Sequence, residues 1–223
     1  MRVLIATSSP GKLRDFAGAA AVYGIRVEEL EGFAILPEAV EDGTTFEENA
    51  RKKAEHYSRF AAGELVLADD SGLCVEALQG APGVHSARYA AMDVTSGGGW
   101  GASGNDAKKK DSKIPDAGNK DSANNARLLR ELDPVGESER TARFICVISA
   151  ARDGREVAHF RGEALGRILR ESRGGMGFGY DPLFYLPELG KCFAELTAEE
   201  KSRVSHRGAA LRGFLEWART QAG

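Results

Sequence analysis

The stretch ELVLADDSGLCVE, residues 64–76, decides how the rest of the chain is read. An apolar run, Leu65-Val66-Leu67-Ala68, ends in two adjacent carboxylates, Asp69 and Asp70, and then Ser71-Gly72. Short apolar runs bounded by polar punctuation read as buried strands, so one strand is expected over 64–70 and another over 72–76. Adjacent acids at the end of a buried strand repel each other and lose solvation. Either one of them caps local N–H groups around Ser71-Gly72, or a hard cation relieves the repulsion. Carboxylate oxygens without His or thiolate select Mg²⁺, Mn²⁺ or Ca²⁺ over zinc.

Outward from this stretch, strands and helices interleave without a strict βαβ rhythm. RVLIAT (2–7) reads as a strand, SSPG as a turn, and residues 12–23 as a helix with Leu13, Phe16, Ala17 and Ala20 on one face. IRVEEL (25–30) alternates as a strand. Thr45 and Glu48 form a capping box ahead of a helix reaching about Ala62, with an inner stripe of Phe46, Ala50, Ala54, Tyr57 and Ala61. Residues 97–120, GGGWGASGNDAKKKDSKIPDAGNK, bury too little apolar surface to offset their ordering entropy, and are expected to be a mobile insertion. A helix at about 122–132 follows, then a strand at 143–151, a turn at Asp153-Gly154 and a partner strand at 155–169. SRGGMGFGYDP (172–182) is a glycine-rich loop. Thr197 and Glu200 form a second capping box, and a helix over 205–220 ends the order of elements. The class expected is α/β with a mixed sheet, in a single domain over 1–223.

Composition narrows the function. The 223 residues are 42% hydrophobic and carry 30 basic and 33 acidic side chains, a formal charge of −3. That balance offers no global attraction to nucleic acid or a membrane surface. No apolar window approaches the roughly 20 residues of a membrane span, and the first thirty residues do not read as a signal peptide. Cys74, Cys146 and Cys192 are far apart and show no zinc-type spacing, which points to the reducing cytoplasm.

Several other groups could carry chemistry. Thr7, Ser8, Ser9, Pro10, Gly11 and Lys12 join the first strand to the first helix. Helix N-terminal N–H groups favour anions there and Lys12 adds a point charge, although an ordinary turn has the same look. No Walker A pattern is present, because Leu13 follows the lysine. Lys53 falls seven residues after Phe46, beside the buried stripe, and either snorkels to solvent or reaches into a cleft. Glu41 alone reads as a loop acid. Gly174, Gly175, Gly177 and Gly179 allow close backbone approach to a ligand, with Phe178 and Tyr180 available to stack on a flat ring; a plain flexible loop is the other reading. Lys201, His206 and Arg207 place three donors around the start of the last helix, a suitable edge for a base or phosphate, although solvated charge has the same look. His56, His85 and His159 have no ligand partners at useful spacing, and neither a serine triad nor a zincin motif is evident.

Taken together, five segments resemble the inosine triphosphate pyrophosphatase family, and its bacterial branch in particular: ATSSPGKLRDF, EDGTTFEENARKKA, LADDSGLCVEALQGAPGVHSARYA, GGMGFGYDPLF and AELTAEEKSRVSHRGAAL. They occur in the family's order and span nearly the whole chain outside 97–120. The resemblance implies an elongated mixed sheet in two lobes around a cleft, a homodimer, and Mg²⁺-dependent hydrolysis of non-standard purine nucleoside triphosphates such as ITP, dITP and XTP. It implies that Thr7 to Lys12 and Lys53 hold phosphates, that Asp70 is general base and metal ligand, and that Glu41 and Asp69 support the metal. Ser71 is implied to contact substrate, Phe178, Gly179, Tyr180 and Asp181 to form the base and sugar pocket, and Lys201, His206 and Arg207 to recognise the 6-keto edge of the purine. Ser9 stands where the family usually has Asn, and the 97–120 insertion is longer than usual for this connection. Two rival readings are a pyrophosphatase for other modified nucleotides and a nucleotide-binding sensor without hydrolysis; intact Lys12, Asp69 and Asp70 argue against the sensor.

Overall fold

In the computed structural model, which describes residues 1–7, 9–21, 24–92 and 117–221, Val66–Val75 is one unbroken strand, β3. The two strands expected on either side of Ser71-Gly72 are therefore one. Gly72 is not a turn residue: a Cβ there would lie 2.4 Å from Ser86 Oγ and 2.5 Å from the Gly83 carbonyl. It allows the 3₁₀ segment Gly83–Ala91 to press against the strand, as glycine does in strands that meet another backbone closely.

The other elements are β1 (Arg2–Ile5), α1 (Pro10–Ala21), β2 (Arg26–Glu29), α2 (Phe46–Ser58), α3 (Ala117–Glu131), β4 (Thr141–Arg152), β5 (Arg155–Ile168), β6 (Phe184–Leu186), β7 (Lys191–Cys192), α4 (Ala198–Val204) and α5 (His206–Gln221). The strands form a seven-stranded sheet in the order β2-β1-β3-β4-β5-β6-β7. β1 runs parallel to β2 and β3, and the remaining pairs are antiparallel. The mixed α/β sheet expected from the sequence is thus the observed one. Among the described residues no helix is long and apolar enough to cross a membrane.

Local chemistry sets the boundaries. α1 begins two residues before the expected start because Ser9 caps it, its hydroxyl accepting from the Lys12 amide at 3.4 Å, and Pro10 takes the first helical position, where a missing N–H costs nothing. The Thr45 hydroxyl accepts from Glu48 N–H. Glu48 does not close the box on Thr45; its carboxylate takes the Thr44 amide at 2.7 Å. Thr197 and Glu200 form the full reciprocal box of α4. The helix expected over 205–220 is separate from α4, since Ser205 is extended and its hydroxyl caps α5 through Gly208 N–H at 3.1 Å. Asp153 and Gly154 both have positive φ, the requirement of a tight hairpin turn between β4 and β5. α3 starts at Ala117 rather than about 122, so only residues 97–116 of the expected insertion lie outside the described residues.

The two faces of the sheet are covered by different helices. On one, Leu67, Cys146 and Ile148 pack under Phe16 and Ala20 of α1 and Leu211 and Phe214 of α5. On the other, Val66 and Ala68 pack under Ala54 and Tyr57 of α2, and Ile145 and Val147 under Phe46 and Ala50. A further cluster joins Leu73, Val75 and Phe144 to Leu128 and Leu132 of α3, and to Phe184 and Phe193. Each fully buried Leu, Ile or Phe contributes about 1.5–3 kcal/mol by leaving water.

One mismatch of strand length creates the cleft. β1 stops at Ile5, opposite Leu67, while β3 runs on to Val75. The β1-side edge of β3 is next met at Leu73, whose N–H donates to Ser86 Oγ at 2.8 Å. Asp69, Asp70 and Ser71 fill the interval, beyond the carboxyl end of a parallel strand, where α/β sheets bind ligands.

Candidate active site

A cleft of about 340 Å³ opens over this interval. Because side chains alternate along a strand, the two adjacent acids leave β3 on opposite faces. Asp69 points to the α1 and α5 side. Both its oxygens accept from Lys12 Nζ at 2.8 Å, and Arg207 lies 3.9 Å away. Burial pushes the Asp69 carboxyl up, but Lys12, Arg207 and Lys53 outweigh it and hold the group below the ordinary carboxylate range. Asp70 points to the α2 side, where Lys53 Nζ donates to Oδ1 at 3.1 Å and to Glu41 Oε2 at 3.0 Å. Its Oδ2 is buried without a partner. Here burial outweighs the pull of Lys53 and raises the Asp70 carboxyl above its ordinary value, with Glu41 adding to the rise. Lys53 itself is pushed down by burial but raised on balance by Asp70, Asp69 and Glu41. Lys12 thus engages both oxygens of Asp69, while Asp70 and Glu41 share Lys53 and Asp70 keeps one oxygen unpartnered.

The far wall comes from the glycine-rich loop and the start of α5. Gly162 of β5 lets α5 sit down on the sheet, since a Cβ there would lie 2.1 Å from the His206 carbonyl. His206 stacks on Phe144, centroids 4.7 Å apart at 9°, with Phe193 parallel at 6.1 Å. Burial, reinforced by Arg207 and Lys201, lowers the His206 pKa well below 6.5, so the ring is neutral. His206 Nδ1 and Arg207 Nε are both buried without partners. Lys201 pairs with Asp181, whose other role is to accept from Phe178 N–H at 2.9 Å. Phe178 is 56% exposed, with Lys201 Nζ 5.4 Å and Arg207 Cζ 5.7 Å from its ring centre.

Of the residues expected at the site, Lys12, Glu41, Lys53, Asp69, Asp70 and Ser71 line one side of the cleft, and Phe178, Gly179, Tyr180, Asp181, Lys201, His206 and Arg207 the other. Tyr180 does not offer a free ring face as expected. It is buried in the α3 cluster with its hydroxyl donating to the Ser86 carbonyl at 2.9 Å, so the exposed ring is Phe178. Thr7 and Ser9 build the start of α1: Thr7 Oγ1 accepts from Ser9 N–H at 3.2 Å and Ser9 caps the helix. Pro10 and Gly11 belong to its first turn, and Ser8 lies outside the described residues. Sequence reasoning missed Ser86, Asp121, Asn124 and Phe144, which also line the cleft. Asn124 is buried and holds Ala90 N–H at 2.7 Å; its only signal in the sequence was a polar residue on the inner face of an amphipathic helix. Phe144 reads as plain strand core.

The residues present suit a hard divalent cation. Asp70 presents an unpartnered buried oxygen and Glu41 a second carboxylate beside it. No cluster of three His, Cys, Asp or Glu able to hold a metal occurs among the described residues. Two carboxylates with the remaining positions left to water and ligand phosphates is the manner of Mg²⁺. The charges agree. Four basic side chains and five acids line the cleft, so a polyanion entering it needs a further cation.

Fold and cleft together define a class: a mixed α/β protein whose cleft is built for a polyanion carrying a flat ring, at the open edge of its central strand. The chain belongs to the Ham1 family, whose model matches residues 3–217. It is 47% identical over 215 residues to the dITP/XTP pyrophosphatase of Acidobacterium capsulatum, covering 96% of this chain and 97% of that one. It is 46% identical to the protein of the same name from Geobacillus kaustophilus, covering 94% and 90%. Among solved structures, the Staphylococcus aureus Ham1 protein superposes with a TM-score of 0.77 at 34% identity, covering 99% of this chain and all of that one. A HAM1 protein from Coxiella burnetii gives 0.76 at 33%, covering 99% of each. The resemblance read from the five segments is thereby borne out.

Proposed function

We infer that the protein hydrolyses non-standard purine nucleoside triphosphates, dITP, ITP and XTP, to the monophosphate and pyrophosphate. The observation that carries this reading is the buried, unpartnered Asp70 oxygen in a cleft with lysines on one side and an aromatic, donor-rich wall on the other. Its relatives' name, dITP/XTP pyrophosphatase, supports it.

Asp70 and Glu41 would hold Mg²⁺, which when bound supplies charge neutralisation at the phosphates. Asp70, whose carboxylate is made more basic by burial, accepts the proton of the attacking water as general base. Water adds at the α-phosphorus, the bond to the bridging oxygen breaks, and pyrophosphate leaves with the electron pair. Lys12 and Lys53 carry the phosphate charge, each already oriented by a carboxylate, so little reorganisation is needed. Phe178 stacks on the purine. Arg207 Nε and Lys201 donate to a 6-keto oxygen; an adenine amino group there would leave buried donors unpaired, which disfavours ATP. Ser71, on the open edge of β3, contacts the substrate between these regions.

The assay is pyrophosphate release from ITP, dITP, XTP, GTP, ATP and dUTP with Mg²⁺, then with EDTA. Rapid release from the first three, lost with EDTA and restored by Mg²⁺, is expected. Comparable turnover of dUTP or ATP, or tight binding without turnover, overturns the reading. The homodimer implied by the resemblance belongs to the same proposal, as do the single domain and the cytoplasmic setting read from the sequence, and sedimentation of the purified chain tests the dimer.

A further inference from the structure

Phe178 is held oddly for a ring that forms a pocket wall. It is half exposed, and the cations Lys201 and Arg207 stand at 5.4 and 5.7 Å from its centre. Side-chain packing that loose does not by itself fix a ring, so its backbone must. The ties are on the next residue. Gly179 N–H donates to Asp121 Oδ2 at 2.7 Å, and Asn125 Nδ2 donates to the Gly179 carbonyl at 2.9 Å. Asp121 and Asn125 are four apart on α3 and share a face. They grip both hydrogen-bonding groups of one residue, in a left-handed conformation (φ 61°) with open space where a side chain would stand. The bond to the carboxylate is charge-assisted and correspondingly strong. Asn125 makes its bond at a cost, because its own Oδ1 is buried without a partner, which space-filling alone would not explain.

We propose that Asp121 and Asn125 are positioning residues that clamp the Gly179 peptide and thereby set where the Phe178 ring stands over the base. This rests on the assignment of Phe178 to the purine pocket made above. The pair then acts on the base through the backbone of the loop. The segment Phe178 to Asp181 is fixed at one end by Asp181, through Lys201 and Phe178 N–H, and in the middle by the α3 clamp.

The test is a double-mutant cycle on inosine monophosphate binding, followed by calorimetry with ITP kinetics alongside. Asp121→Ala and Asn125→Ala each weaken binding about tenfold, within what base–aromatic stacking is worth. KM for ITP rises in step, while kcat moves by less than about twofold, the mark of lost uniform binding. Asp121→Ala added to Phe178→Ala costs nothing further, because the clamp acts through the ring. Asp121→Asn, which keeps an acceptor for Gly179 N–H, restores most of the affinity. Additive losses in the double variant, or unchanged binding in either single variant, overturn the proposal. A wild-type protein that neither binds inosine monophosphate nor hydrolyses ITP removes the proposed function itself, and this inference with it.

Discussion

Replacing Asp70 with Asn separates catalysis from folding. The native carboxylate accepts from Lys53 at 3.1 Å, has an oxygen, Oδ2, without a partner, and has its pKa raised by burial against the pull of Lys53 and Asn49. The amide keeps the shape and an acceptor for Lys53, which also retains Glu41. The new NH₂ group takes the place of an oxygen that had no partner, a cost of about 1 kcal/mol, offset by removal of a buried charge. The net change in stability is within about 1 kcal/mol, or roughly 2–4 °C in Tm for a chain of this size. Loss of the proton acceptor, by contrast, lowers kcat by about 10²–10⁴, or about 3–5 kcal/mol of barrier. Pyrophosphate release from ITP and a thermal melt on the same preparation measure both. A rate within tenfold of wild type refutes the role of Asp70 as base. A Tm lower by more than about 10 °C refutes the claim that its charge is a cost to the fold.

Other perturbations test the frame around it. Lys12→Ala takes both hydrogen bonds from the buried Asp69 carboxylate and leaves it Arg207 at 3.9 Å and the charge of Lys53, and is expected to destabilise by about 3 kcal/mol in urea titration; an unchanged midpoint would show that the pair contributes nothing. Gly72→Ala drives a Cβ into Ser86 Oγ and the Gly83 carbonyl, so a loss of about 2 kcal/mol is expected, and a wild-type Tm argues against the close approach of the 83–91 segment. His206 is neutral and buried, with its pKa well below the 6.5 of an unfolded chain. The unfolded state therefore binds more protons below pH 6.5, and stability falls as pH drops through that value. His206→Phe, which keeps the stack on Phe144, should flatten the dependence of Tm on pH between 7 and 5; the same slope in both proteins would assign it elsewhere.

How much of this was legible in the sequence depends on the range of the interaction that decides it. Strands β1, β2, β4 and β5, the Asp153-Gly154 turn and the Thr197 capping box rest on periodicity and on bonds spanning a few residues, and were readable directly. The chain's own pattern also determined that carboxylates, lysines and a glycine-rich aromatic loop occur at ends of apolar runs, and the five segments determined the family. Tertiary structure decided the rest. That Asp69 and Asp70 serve opposite faces follows from β3 running unbroken through Gly72, which depends on Ser86 and Gly83 arriving from outside the strand. That Asp69 belongs to Lys12, 57 positions away, and Asp70 to Lys53 required α1 and α2 to lie on different sides of the sheet. That Tyr180 is core while Phe178 is free, and that Asp121 and Asn125 reach Gly179 across more than fifty residues, depends on the seating of α3. Local sequence specifies which groups are available; the mismatch in length between β1 and β3, and the helices on either face, decide which of them meet.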